Sequence, residues 1–91
     1  MAGAGAVWVQ QRDYVAVGAV LADSRKRAGL TQQQLAKLLR KPQSFVSNYE
    51  RGQRRIDVLE LLRIIEALDG DPVEVCREIL KRRASPRRQR R

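Results

Sequence analysis

Between residues 13 and 82 the apolar positions recur every three or four residues, in short runs broken by Gly, Pro and small polar side chains. That is the period of amphipathic helices, and the alternation of a half-buried strand is absent. Asp13 is placed to cap a first helix running to about Ala28, with Gly29 as its stop. Gly18 inside it costs about 1 kcal/mol relative to Ala, which points to a close packing contact. Thr31 with Gln34 three residues on is a capping box, opening a second helix to about Leu39 with Leu35, Ala36 and Leu39 inward. Pro42 suits the entry of a third helix, over 42–50, because its fixed φ and missing N–H cost nothing there. Gly52 closes that helix. Asp57 and Glu60 open a fourth, with Leu59, Leu62, Ile65 and Leu68 as its expected buried stripe, and Asp69-Gly70 ends it. Asp71, Pro72 and Glu74 supply cap, first-turn proline and reciprocal acid for a fifth, to about Arg82. The fold class is all-α, with five helices.

Two helices carry more information than their periods. In the third, Phe45, Val46 and Tyr49 form an apolar face, while Gln43, Ser44, Ser47 and Asn48 are small or amide-bearing and point outward. In the fifth, Val73, Val75, Cys76, Ile79 and Leu80 are more apolar positions than one short terminal helix needs to dock on its own core. Cys76 itself is expected to be a small buried hydrophobe.

Composition narrows the possibilities further. Ninety-one residues make one small domain, expected over 13–81 between a flexible arm, 1–12, and a disordered basic tail, 82–91. With no histidine and one cysteine, His-dependent triads, His/Cys zinc sites and an internal disulfide framework are excluded. No phosphate loop, metal-ligand cluster or nucleophile–base pair stands out, so neither an enzyme nor a cofactor is expected. No run approaches the roughly 18 apolar residues of a membrane span. No basic segment precedes Val7-Trp8-Val9, so no secretory signal is expected, and the expected location is cytoplasmic.

The net charge of +9 is unevenly spread. Residues 25–55 carry nine cations against Glu50 alone, residues 56–80 have a balance of −5, and residues 81–91 hold seven cations and no acid. A polyanion suits the basic middle, and the acidic stretch should face away from it.

The second and third helices are joined by three or four residues around Arg40, Lys41 and Pro42. So short a link makes them cross steeply, the helix-turn-helix arrangement, in which the second helix of the pair can enter a DNA major groove. An amide can pair with adenine N6 and N7 together, so Gln and Asn on the outer face suit base reading.

Residues 20–80 resemble the Cro and lambda-repressor-like (XRE) helix-turn-helix family. The resemblance is carried by Arg25, Gly29-Leu30-Thr31-Gln32, Leu35-Ala36, Val46-Ser47, Glu50-Arg51-Gly52, Leu59, Leu62, Ala67-Leu68 and Asp71-Pro72. It implies a compact five-helix domain and a sequence-specific transcriptional regulator, in the first place a repressor, bound to double-stranded DNA. One departure is Arg40, where the family often has Gly; a left-handed backbone there costs a non-Gly residue roughly 1 kcal/mol.

The resemblance also implies roles. Gln43 is the expected principal base reader, with Ser44, Ser47 and Asn48 beside it, and Gln32 grips a phosphate at the start of the second helix. Arg40, Lys41, Arg54 and Arg55 are expected on the backbone, and Arg25 with Glu50 as a structural ion pair. Operators of two half-sites imply a homodimer, expected through Val73, Cys76, Ile79 and Leu80. Two other readings fit the same residues: a protein-interaction module or antitoxin-like binder of a protein partner, and a sequence-indifferent nucleic-acid binder acting through the Arg-rich tail.

Overall fold

The computed structural model describes residues 8–88, which form five α-helices: α1 (Gln11–Arg27), α2 (Gln32–Leu39), α3 (Gln43–Glu50), α4 (Val58–Ala67) and α5 (Pro72–Arg88). Among the described residues there is no strand. Residues 1–7 of the expected arm and 89–91 of the expected tail lie outside them.

The starts follow local chemistry. Thr31 accepts from the Gln34 N–H at 3.0 Å while Gln34 accepts from the Thr31 N–H at 2.9 Å. Asp57 and Glu60 repeat the exchange at 2.7 and 3.1 Å. The start of α1 differs from expectation. Its N-cap is Gln10, and Asp13 sits on the third helical residue, where its carboxylate accepts the Gln10 N–H at 2.8 Å. Pro42 likewise stands just before α3 as its N-cap.

The ends of α1 to α4 share one device: a left-handed residue whose N–H and the next bond back to the last turn. At α1 it is Gly29 (φ 77°), with Leu30 N–H reaching the Arg25 carbonyl at 3.2 Å. At α3 it is Gly52 (φ 78°), with Gln53 N–H reaching Asn48 at 2.8 Å. At α2 and α4 the same position is held by Arg40 (φ 59°) and Asp69 (φ 57°), side chains in a region that favours glycine.

Val20, Leu21, Leu35, Ala36, Phe45, Val46, Tyr49, Ile64, Ile65, Leu68 and Val75 are buried together in one core. Gly18 lets α1 cross the end of α3 at backbone contact: a Cβ there would lie 2.6 Å from the Glu50 carbonyl oxygen and closer still to that of Tyr49. The expected stripe of α4 needs correction. Leu59 and Leu62 are exposed, at 76% and 38%, and the core takes Ile64, Ile65 and Leu68, with Leu61 packed against it. The reason is angular: a strict spacing of three drifts about 60° around a helix per step, whereas 61, 64, 65 and 68 stay on one face.

Two further expectations fail on α5. The helix continues past Arg82 to Arg88, so residues 82–88 of the expected disordered tail are helical. Arg82 Nη2 lies 3.0 Å from the Asp23 carboxylate and Arg83 Nε 2.9 Å from Asp13, which gives that turn a docking partner on α1. Cys76 is exposed rather than buried, because Val75 and Ile79 make the inward face of α5.

Candidate nucleic-acid interface

Helices α2 and α3 pack through Leu35, Ala36, Leu39, Val46 and Tyr49, which are buried on their facing sides. This leaves the outer face of α3 to Gln43 and Ser44, both exposed, and Ser47 and Asn48, both half-buried. The four expected base readers therefore share one surface.

A chain of hydrogen bonds leads from the core to that surface. The Arg25 guanidinium is fixed by Glu50 from two nitrogens, at 2.8 and 3.1 Å, and donates to the Leu30 carbonyl at 2.8 Å. Both partners are largely buried, with side-chain exposures of 11% and 5%. The hydrogen bonds and charge of Glu50 push the Arg25 pKa up against the opposing effect of burial. Glu50 also accepts from Gln32 Nε2 at 2.8 Å, and Gln32 Oε1 accepts from Gln43 Nε2 at 3.3 Å.

The order of donors fixes both amides. A carboxylate is an acceptor only, so Gln32 must turn its NH2 towards Glu50 and its oxygen towards Gln43. Gln43 then donates one N–H inward and keeps its Oε1 and second N–H for an outside partner. Those are the acceptor and donor that an adenine edge requires.

The cations around this face divide into two kinds. Arg40 and Lys41 are exposed in the turn between α2 and α3, and the Lys41 ammonium lies 5.5 Å from the centre of the Phe45 ring. The Arg54 guanidinium stacks 4.6 Å over the same ring, donates to the Arg55 carbonyl at 2.7 Å and pairs with Glu60 at 3.3 Å. Its geometry is set by internal contacts. Arg55 is exposed and lies 5.4 Å over the Tyr14 ring.

Three connections went unread in the sequence. Gln32 is tied to Glu50, Arg51 donates to the Asn48 side chain at 2.9 Å, and Phe45 serves as a platform for Arg54. Only the second had a signal, the helical spacing of three.

The expected dimer residues are placed apart from this face, on α5. Val73 and Leu80 are exposed at 63% and 61%, and with Pro72, Cys76 and Arg77 they line one shallow apolar depression. Ile79 turns inward and packs against the core. Among the described residues, no group of His, Cys, Asp and Glu is arranged to hold a metal ion, and no helix is long and apolar enough to cross a membrane.

Comparison with known proteins agrees with this arrangement. A family model described as Helix-turn-helix matches residues 21–75. The fold is similar to the clp gene regulator ClgR from Corynebacterium glutamicum, with a TM-score of 0.78 and 27% identity over 86% of this chain and 83% of that one. The restriction-modification controller protein C.AhdI from Aeromonas hydrophila is 37% identical, with a TM-score of 0.67 over 71% of this chain and 94% of its own. An XRE-family like protein from Pseudomonas syringae gives the same identity and TM-score, over 75% and 83%. No curated protein matches the sequence. Five helices and no strand among the described residues, the buried Arg25–Glu50 pair and a match across residues 21–75 place the chain in the Cro and lambda-repressor-like (XRE) helix-turn-helix family of DNA-binding transcriptional regulators.

Proposed function

We propose that the protein is a transcriptional repressor that binds operator DNA as a homodimer, with α3 of each copy in a major groove. Gln43 reads an adenine through Oε1 and Nε2, and Ser44, Ser47 and Asn48 contact neighbouring bases or phosphates. Gln32, Arg40, Lys41 and Arg55 hold the backbone. Arg54, stacked and paired within the fold, contributes mainly by shaping the segment after α3.

The observation that carries the reading is the run Arg25, Glu50, Gln32, Gln43. It aims one exposed amide with a defined polarity from a buried, charged anchor. An amide held this way loses less freedom on pairing with a base than one that rotates in solvent.

Dimerisation is proposed from the exposed Val73, Cys76 and Leu80 on α5. Two half-sites one helical turn apart need a symmetric reader, and an apolar patch away from the basic face lets two copies meet without blocking DNA.

A binding titration tests the reading, using DNA from the region upstream of the protein's own gene against scrambled DNA of equal length. The expected result is a preference for the upstream DNA that falls by about 1–3 kcal/mol in Gln43→Ala. Equal affinity for both duplexes, unchanged by the substitution and collapsing with salt, contradicts it.

A further inference from the structure

The two amides on the outer face of α3 are held by opposite ends. Gln43 gives an N–H of Nε2 to Gln32 and keeps its oxygen free. Asn48 instead accepts at Oδ1 from Nη2 of the Arg51 guanidinium, at 2.9 Å. A guanidinium has donors only, so Asn48 must turn its oxygen to Arg51 and keep both N–H groups for another partner. A base amine seeking the second lone pair of Oδ1 would approach beside the guanidinium, N–H against N–H. The cation also polarises the amide, which makes its N–H groups stronger donors.

The backbone of Arg51 is fixed where it stands. As the C-cap of α3, it gives its N–H to the Ser47 carbonyl at 3.2 Å. Gly52 follows with φ 78° and returns its own N–H to the Tyr49 carbonyl at 3.0 Å. Gly52 also lies against α1: a Cβ there would stand 2.8 Å from the Val15 Cα, and its carbonyl accepts from the Gln11 amide. The Arg51 side chain therefore starts from one place, at the spacing of three that brings neighbouring helical turns together.

We propose, on the reading that α3 enters the groove, that Arg51 is a positioning residue that makes Asn48 a donor-only contact. Asn48 then engages an acceptor on the DNA: guanine O6 or N7, thymine O4, or a phosphate oxygen. It does not take the paired donor and acceptor of adenine, nor the amine of cytosine. Two amides on one helix thus differ in what they accept as a partner, because one is tied by its nitrogen and the other by its oxygen.

The test uses an operator half-site selected by the wild-type protein from random duplexes. Each base pair is reversed in turn, and each phosphate is replaced in turn by a methylphosphonate. Affinity is measured for wild type, Asn48→Ala, Asn48→Asp, Arg51→Ala, Arg51→Lys, the double variant of Asn48→Ala with Arg51→Ala, and Gln43→Ala. If the acceptor is on a base, reversing one pair puts an amine in its place and should weaken wild type about two- to tenfold. Asn48→Ala should be indifferent to that reversal, and Asn48→Asp, an acceptor only, should favour it. Arg51→Ala frees the amide to turn and should lose most of the preference, Arg51→Lys should keep it, and removing Arg51 from the Asn48→Ala protein should change nothing at that position. If the acceptor is a phosphate, no reversal separates wild type from Asn48→Ala. One methylphosphonate should then bring wild type and Arg51→Lys down to the level of Asn48→Ala, with Arg51→Ala starting between them.

An Asn48-dependent preference for adenine or cytosine overturns the proposal. So does an Arg51→Ala protein that matches wild type in both series, or a wild type that neither series separates from Asn48→Ala. In each of these cases Gln43 readout stands as long as Gln43→Ala loses its own position. If selection enriches no sequence, or Gln43→Ala changes no position, the groove reading fails and the proposal falls with it.

Discussion

The half of the domain built on α2 and α3 and the half built on α4 and α5 solve different problems with the same helical parts. In the first, polar side chains are tied to one another: Arg25 to Glu50, Glu50 to Gln32, Gln32 to Gln43, Asn48 to Arg51. In the second, the surface holds large apolar side chains facing solvent, Val58, Leu59, Val73 and Leu80 among them, within an acidic stretch. A wired polar face suits a rigid polar partner such as a base edge, whereas a surface of large exposed apolar side chains suits a partner that excludes water. The contrast fits DNA at one half and, in the proposed reading, a second copy of the chain at the other.

The strongest way to break the wired half is Glu50→Ala. It leaves the buried Arg25 charge without its partner and should cost about 3–5 kcal/mol in denaturant unfolding. A loss below about 1 kcal/mol would mean that the pair is a surface contact in all but position. The other half is tested by Val73→Glu combined with Leu80→Glu. Each side chain is worth about 1.5–3 kcal/mol when buried against a partner, so sedimentation should show a folded monomer, whose melting temperature no longer depends on protein concentration. An unaltered dimer would place the interface elsewhere.

A smaller effect concerns the junction between α2 and α3. Arg40→Gly removes a side chain from a left-handed position and should raise stability by up to about 1 kcal/mol, less what glycine gains in the unfolded chain. A clear loss would show that the Arg40 side chain has a stabilising partner.

The smallest effect is confined to alkaline pH. Burial, and then the Glu50 charge, push the Tyr49 phenol well above its ordinary value. The unfolded chain then releases this proton near pH 10 while the folded chain holds it. Stability is therefore complete below about pH 10 and declines as pH rises further. Tyr49→Phe should flatten that decline, and an identical slope in the variant would show that the phenol ionises freely in the fold.

Much of this was legible because the signals are local. Thr31 with Gln34 and Asp57 with Glu60 are reciprocal caps that need only a spacing of three, and both form. Gly18 announced a close packing contact, which the fold places between α1 and the end of α3, because a helix interior carries glycine at a cost unless something occupies the space of its side chain. The errors fall where two structures compete for the same residues. Asp13 fits either a cap or a first-turn acid, and the preceding Gln10 decided it. The leucines of α4 allow two stripes, and only packing separates a spacing of three from one of 3.6. The arginines of α5 read as a solvated tail until Asp13 and Asp23, sixty to seventy residues away, supply partners. In the site, the outer face of α3 was readable from its own period. The links from Gln32 to Glu50 and to Gln43 were not, since they join residues 18 and 11 positions apart across two helices.

The central claim is that Gln43, held by Gln32, reads one base. The most direct measurement is a cycle in which each A·T pair of a bound operator half-site is replaced in turn and affinity is measured for wild type and Gln43→Ala. The account predicts one position at which the replacement costs wild type about 1–3 kcal/mol and leaves the variant indifferent, with costs elsewhere equal in the two proteins. Equal sensitivity of both proteins at every position would contradict it.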